Sequence, residues 1–374
     1  MGAESPLSCS LLLVGGGHAH LEIIRSAASF LSAGHSVHLI DTANFYYSGM
    51  ASGMLGGKYE VDDIGVDLTS LCQRNNVGMT HDHVKQIHPN QRIVKTFSGQ
   101  TFHYDVLSLN MGSRVLHKVD QQTTDTERIF YAKPLTELMR LRNRLEIDWK
   151  EHNHSPHIVV VGGGATGVEL SANLCTLAQS QNSDLHLTLL CSSKHLVPDA
   201  PPGASEFLYH FLTKQGVQIQ SEARATRITA DHVYTDHSSE QFDYLLLATG
   251  LGFQPPVTDF GLPCSEAGIP VSSTLEVRDT ENVFAIGDCM DFSPRPLPKL
   301  GVFGVRATPV LLHNLHAKLL GAPLHEYIPQ SRYLSILNLG NGSALAYWGS
   351  FWWQGRSAMR LKHWLDTAFL NRYR

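Results

Sequence analysis

The sequence predicts an α/β protein with two Rossmann-like dinucleotide-binding domains, the second inserted in the first. A C-terminal portion ending in an amphipathic helix completes it. Three observations predict this. A strand, a glycine turn and a helical pattern follow one another twice, about 150 residues apart. Each copy is followed by a buried-strand run that closes on small residues. A last strand then runs into a Gly287-Asp288 turn.

In the first copy, "SLLLVGGGHAHLE" (Ser10 to Glu22), the apolar run Leu11 to Val14 enters Gly15, Gly16 and Gly17. A dinucleotide fingerprint sets a third glycine three residues after the second, and here that place holds His20. His20 replaces only the packing glycine, so the turn and the backbone approach to pyrophosphate survive, with the helix slightly further from the sheet. The strand "HSVHLID" (His35 to Asp41) ends in an acid placed for a ribose hydroxyl. "YDVLSLNMGS" (Tyr104 to Ser113) closes the unit.

The second copy, "HIVVVGGGATGVELSANL" (His157 to Leu174), is complete, with Gly162, Gly164 and Gly167. They serve the tight turn, the close backbone approach and the packing of helix on strand. "FDYLLLATG" (Phe242 to Gly250) closes this unit, and "TENVFAIGDC" (Thr280 to Cys289) leads into Gly287-Asp288. Any one of these strands alone is ordinary core. Their order is what points to a paired architecture.

A chain of 374 residues exceeds one ordinary core, and 43% hydrophobic with 17% charged content suits a compact fold. A net charge of −5, with no basic block before the extreme C-terminus, argues against nucleic acid. The six cysteines form no C-x-x-C pair and fit free thiols in a reducing compartment. Of 21 histidines, only "HDH" (His81, His83) and "HNH" (His152, His154) are tightly spaced, so no metal site is expected. No secretory pattern opens the chain, Pro6 spoils a myristoylation signal, and no apolar run nears the ~20 residues that span a bilayer. A cytoplasmic protein is expected.

Together these segments resemble the FAD-dependent pyridine nucleotide–disulfide oxidoreductase superfamily over nearly the whole chain. Within it the sequence is similar to the type II NADH dehydrogenase branch, and most to the flavoprotein module fused to selenide, water dikinase. The likeness is carried by "VGGGHAHLE", "YYSGM", "YAKPL" and "PKLGVFGVRATPVLLHNLHAKLLG", with no dikinase domain. It implies FAD contacts at Gly15, Gly16, Gly17, His18, Asp41, Ser48, Val84, Gly112, Gly287, Asp288 and Val302. Asp41 would take the adenosine ribose, Val84 would meet the adenine, and Asp288 would hydrogen-bond the ribityl chain. NAD(P)H contacts are implied at Gly162, Gly164, Ala165, Gly167 and Gly250, with Glu169 as the catalytic candidate near the nicotinamide. Glu169 reads equally well as a first-turn acid favoured by the helix dipole.

The implied division is 1–120 and 253–320 for the two halves of the FAD-binding domain, with 156–252 for the NAD(P)H-binding domain. Residues 121–155 form a crossover and linker, and 321–374 the C-terminal portion. A helix beginning near Gly301 would point its positive end at the flavin. The strand "LTLLC" of the second unit ends in Cys191 where the first has Asp41, so no acid there repels a 2′-phosphate. With Ser192, Ser193, Lys194 and His195 following, NADPH is expected to serve at least comparably to NADH.

Electron transfer from nicotinamide to flavin is carried by the cofactors and needs alignment more than acid–base groups. Many relatives place a redox cysteine where "YYSGM" has Ser48, and a serine cannot take flavin electrons. The resemblance therefore implies a diffusible acceptor, foremost a quinone. A reductase serving selenium metabolism and a non-enzymatic nicotinamide redox sensor are the alternatives. In "FWWQGRSAMRLKHWLDTAFLNRYR", Ala358, Leu361, Trp364, Leu365, Ala368 and Phe369 form one helical stripe. Arg356, Arg360, Lys362, Arg372 and Arg374 oppose the single acid Asp366. This suits a helix peripheral to the inner membrane face, or one packed on its own domain or in a homodimer.

Overall fold

The structure is a computed structural model and describes residues 7–42, 44–116, 119–121, 127–152 and 154–374. The opening "MGAESP", the Cys9 side chain and residues 122–126 of the polar stretch before the crossover lie outside the described residues.

The first sheet is built from β1 (Leu7–Val14), β2 (Val37–Asp41), β3 (Gly78–His81), β4 (Val84–His88), β5 (Ile93–Thr96) and β6 (Thr101–Leu109). Their order is β3-β2-β1-β6-β5-β4. The first four run parallel, and β5 with β4 adds an antiparallel hairpin. Leu11, Leu12 and Leu13 are fully buried in β1, as a parallel sheet covered on both faces requires. Burying each such leucine contributes roughly 1.5–3 kcal/mol. Helix α1 (His18–Arg25) leaves the glycine turn that ends β1.

The second sheet holds β7 (Ile129–Tyr131), β8 (His157–Val161), β9 (His186–Leu190), β10 (Gln218–Gln220) and β11 (Tyr244–Leu247). Its order is β7-β11-β8-β9-β10, all parallel. The stretch 121–155 thus does more than connect, because β7 lies within it and buries Ile129 and Phe130 at the edge of this sheet. Helix α2 (Leu135–Ile147) follows and buries Leu135, Leu138, Leu141 and Leu145 at helical spacing. Helix α3 (Ala165–Ser180) leaves the second glycine turn.

The chain then returns. β12 (Val283–Ala285) pairs with β6 in the first sheet, and α4 (Gly301–Leu320) begins shortly after. An antiparallel sheet of β13 (Ser335–Asn338), β14 (Ala344–Trp348) and β15 (Phe351–Gly355) leads into α5 (Arg356–Leu370). One buried apolar cluster runs through both parallel sheets. A small second cluster, Ala344, Ala346, Ala358 and Met359, joins β14 to α5. Among the described residues no helix is long and apolar enough to cross a membrane.

Candidate dinucleotide sites

The two glycine turns repeat one hydrogen-bond scheme. Gly15 N–H donates to Ile40 O at 3.0 Å, and Gly162 N–H to Leu190 O at 2.9 Å. Each turn thereby hangs from the neighbouring parallel strand. Gly15 has φ +84°, and a Cβ there would lie 2.6 Å from Asn110 O. At Gly162 φ is +127°, with Ala248 O 2.4 Å away from such a Cβ. Only glycine fits either place.

The third fingerprint position separates the copies. A Cβ on Gly167 would lie 1.8 Å from Gly162 O, so α3 rests directly on its own turn. In the first copy the fully buried His20 ring fills the equivalent space. Its Nδ1 lies 2.5 Å from Gly15 O and its Nε2 2.8 Å from Ser108 Oγ. A carbonyl only accepts, so Nδ1 donates and Nε2 accepts from the hydroxyl. Burial pushes this imidazole down to about 4, against the pull of its bond to Gly15. It is neutral at physiological pH.

The first turn opens on a cavity of about 740 Å³, within the range of cofactor sites. Gly15, Gly16, Gly17, His18, Asp41, Ser48, Val84, Gly112, Gly287 and Asp288 all line it. Val302 does not; Gly301 and Gly304 of α4 do. Those two stand three residues apart and share a helix face that Val302 turns away from. A Cβ on Gly304 would stand 3.2 Å from Gly287 Cα, so the helix packs closely on the Gly287 turn there. The carboxylate of Asp41, at the end of β2, accepts from the N–H groups of Gly16 and Thr42. Burial pushes its carboxyl up while those bonds pull it down.

Three further residues shape this cavity. Asn110 Oδ1 accepts from Ala19 N–H at 3.0 Å, and its Nδ2 donates to Ile286 O at 2.9 Å. It thereby fixes the start of α1 and the Gly287 turn together. Lys133 and Ser113 both bond Asp288, the lysine at 2.7 Å and the serine at 2.8 Å. Sequence signals for them were present, because Asn110 and Ser113 lie in the closing strand's turn and Lys133 in "YAKPL". Their partners, however, are distant in the chain.

Gly162, Gly164, Ala165, Gly167 and Gly250 gather elsewhere, around the carboxyl ends of β8, β9 and β11. None of them lines the first cavity. A Cβ on Gly163 would lie 2.2 Å from Cys191 Sγ, whereas Gly164 faces open space. Gly250 O accepts from Leu116 N–H at 2.9 Å, linking this turn to the first unit.

Glu169, in the first turn and a half of α3, accepts from Asn338 N–H at 2.7 Å and Ser52 Oγ at 3.2 Å. Burial pushes its carboxyl up, with Lys362 and the two hydrogen bonds opposing. It thus meets Ser52 on the short helix Ala51–Leu55, which follows the Ser48–Met50 turn that borders the cavity. The C-terminal helix meets the same place with an unexpected face. Helix α5 buries Ala358, Met359, Lys362, Asp366 and Leu370, while Trp364 is 65% and Leu365 40% exposed. Inside, Lys362 Nζ donates to Gly49 O at 2.7 Å and pairs with Asp366 at 3.1 Å. Tyr47 OH donates to Asp366 at 3.1 Å. The Lys362–Asp366 ion pair lets the charged face turn inward, so the helix does not bury the whole apolar stripe.

Among the described residues no three His, Cys, Asp or Glu side chains gather for a metal ion. The free cysteines Cys72, Cys175, Cys191, Cys264 and Cys289 are absent from the cavity lining.

Over the whole fold the chain is similar to the sulfide:quinone oxidoreductase of Aquifex aeolicus, with TM-score 0.81 and 17% identity. That match covers 98% of this chain and 91% of the other. The water-forming NADH oxidase from Lactobacillus brevis aligns with TM-score 0.71 and 21% identity over 90% of this chain and 74% of its own. In sequence, an Arabidopsis thaliana external alternative NAD(P)H-ubiquinone oxidoreductase B4 is 23% identical over 72% of this chain. The chain spans 53% of that relative, and 28% of the B1 relative from the same plant, which is 27% identical over 38% of this chain. Family-level comparison is broader, since the pyridine nucleotide-disulphide oxidoreductase family model matches residues 9–306. A match over that much of the chain, on this fold, makes it a member of the pyridine nucleotide-disulphide oxidoreductase family, with FAD and NAD(P)H as its cofactors.

Proposed function

We propose that the protein oxidises NAD(P)H and passes the electrons through FAD, without a redox cysteine, to a diffusible quinone. Bound FAD supplies the two-electron step between nicotinamide and acceptor. Gly15 to Gly17 and Asp41 hold its pyrophosphate and ribose end, and Asp288 its ribityl chain. The second turn, from Gly162 to Gly167, holds the nicotinamide dinucleotide. These assignments rest on the glycine geometry and on the family.

The acceptor reading rests on one observation, the polar cluster behind Ser48. Where a thiol route needs cysteine, this cavity presents Ser48. NAD(P)H, a proton and a quinone give NAD(P)⁺ and a quinol, so the acceptor side must handle protons. Lys362, Asp366 and Tyr47 meet at the Ser48–Met50 turn, and Glu169 bonds Ser52 just after it, within electrostatic reach of Lys362 and Asp366. Burial pushes the Glu169 carboxyl up, the direction that suits a carboxyl serving in proton transfer. The relatives named as an NAD(P)H-ubiquinone oxidoreductase and a sulfide:quinone oxidoreductase agree with this reading.

The test is anaerobic NAD(P)H oxidation by the purified holoprotein against a quinone series, with selenium compounds in parallel. Quinone-dependent turnover is expected. Glu169→Gln should slow it roughly tenfold or more while sparing flavin bleaching by NAD(P)H. Turnover that requires a selenium compound would overturn the quinone assignment, and a flavin that nicotinamide never bleaches would point to a sensor.

A further inference from the structure

Lys133 and Asp288 belong to different units of the molecule. Lys133 follows β7 of the second sheet, where Ala132 N–H donates to Leu247 O at 2.9 Å. Asp288 lies on the short helical turn after β12 of the first sheet. Their side chains nevertheless meet on the cavity wall. Lys133 Nζ lies 2.7 Å from Asp288 Oδ2 and 3.3 Å from Ser113 Oγ, and the serine donates to the same oxygen at 2.8 Å.

The pair is largely removed from water, with side chains 23% and 12% exposed. Burial pushes the Asp288 carboxyl up, but Lys133 and Ser113 bring it below the ordinary carboxylate value. The imidazole of His18, which faces the pair, is pushed down to about 4, chiefly by burial. It therefore adds no charge at neutral pH. Lys133 is the cation in direct contact with Asp288 where the flavin's ribityl chain is assigned, while Lys299 acts on Asp288 only through its charge.

We propose that Lys133 is a positioning residue for the flavin, which aims Asp288 into the cavity and sets both FAD retention and flavin potential. The argument is electrostatic. Removing the ammonium would leave Asp288 as an uncompensated carboxylate facing a ligand that already carries a pyrophosphate. Electrons added to bound flavin bring further negative charge into the same low-dielectric space, and a fixed cation favours that state. Because the second sheet carries Lys133, the contact also ties the nicotinamide unit to the flavin cavity. This inference rests on FAD occupying the cavity as assigned above.

The experiment compares Lys133→Met, Lys133→Arg and the double variant Lys133→Met/Asp288→Asn. It reads FAD dissociation constant by fluorescence and midpoint potential by equilibration with reference dyes. Lys133→Met should weaken FAD binding roughly tenfold or more and make the potential more negative. Lys133→Arg should keep both close to wild type, because the charge is retained. The double variant should bind FAD better than Lys133→Met alone, since the orphaned carboxylate is gone. Wild-type affinity and potential in Lys133→Met would overturn the proposal, as would equal loss in Lys133→Arg or further loss in the double variant. If Lys133→Met is insoluble, Lys133→Gln gives the same comparison with a polar side chain of similar length. A wild type that takes up no FAD would defeat the site assignment; an unchanged Lys133 variant beside an FAD-binding wild type defeats this inference alone.

Discussion

Phe369, in the last turn of the C-terminal helix, lies against Tyr47 with ring centroids 4.8 Å apart and planes 23° from parallel. It also stands 5.5 Å from the His18 ring, which lines the first cavity. The chain's end is fastened beside it. Tyr373 OH donates to Glu22 at 3.1 Å, and Arg374 donates to the carbonyls of Asp62 and Gly65. The last residues therefore back the cavity wall.

From this follows the first prediction. Truncation before Gly355 should lower FAD retention and thermal stability together, and Phe369→Ala should cost roughly 2 kcal/mol. Reduction of a soluble dye should fall as much as reduction of a quinone, because the loss acts at the flavin. A truncated protein that keeps its flavin and its dye activity would show the helix to be no part of the cavity's support.

A second prediction concerns acid. His20 is buried and neutral, with its folded value near 4 against about 6.5 in the unfolded chain. Below pH 6.5 the unfolded state binds this proton and the native state does not, so stability falls as pH drops, down to about pH 4. At 1.36 kcal/mol per unit, His20 should account for about 3 kcal/mol of that loss. Denaturant titrations at pH 7 and pH 4.5 should show the difference shrinking in His20→Asn. A difference of unchanged size would place the acid sensitivity elsewhere.

The glycine turns were legible in the sequence because backbone sterics leave no alternative at Gly15, Gly162 and Gly167. Asp41 was legible for a related reason, since a parallel strand beside β1 must end next to the turn. The inward face of α5 was not. Hydropathy sorts Lys362 and Asp366 to the solvent side, yet the two pair at 3.1 Å inside, where Lys362 also meets Gly49 O and Asp366 meets Tyr47 OH. Such partners come from the first unit, and helical periodicity carries no record of them. Val302 stays out of the cavity lining because a position one residue along a helix points about 100° away from Gly301.

The outward face of the same helix yields a third prediction. Trp364 and Leu365 are exposed, as are Trp348 at 59% and Phe351 at 65%. Arg356 and Arg360 stand exposed on the same helix. Aromatics beside basic residues suit an anionic lipid surface. Trp364→Ser with Leu365→Ser should reduce sedimentation with anionic vesicles roughly tenfold, about 1.4 kcal/mol, while FAD content stays unchanged. A wild type that ignores such vesicles would leave the patch to a protein partner or a second copy.

The last prediction is nicotinamide preference. Cys191 occupies in the second unit the place that Asp41 holds in the first: each side chain stands against the middle glycine of its turn. Asp41 Oδ2 lies 3.1 Å from where a Cβ on Gly16 would be, and Cys191 Sγ 2.2 Å from one on Gly163. An acid here binds the 2′-hydroxyl of NADH and repels the 2′-phosphate of NADPH. Buried Cys191 does neither, and Lys194 and His195 stand exposed just beyond it. One acid does approach, for Glu222 N–H donates to Ser193 O at 3.2 Å. It is exposed, and Lys194 lies next to Ser193 in the chain, so its repulsion of a phosphate is screened and countered. NADPH should therefore be used at least comparably to NADH. Cys191→Asp, which reproduces Asp41, should shift kcat/KM toward NADH, and Glu222→Gln should shift it modestly toward NADPH. A wild type that favours NADH a hundredfold, about 2.7 kcal/mol, would show that Glu222 or another group does the work of the missing acid.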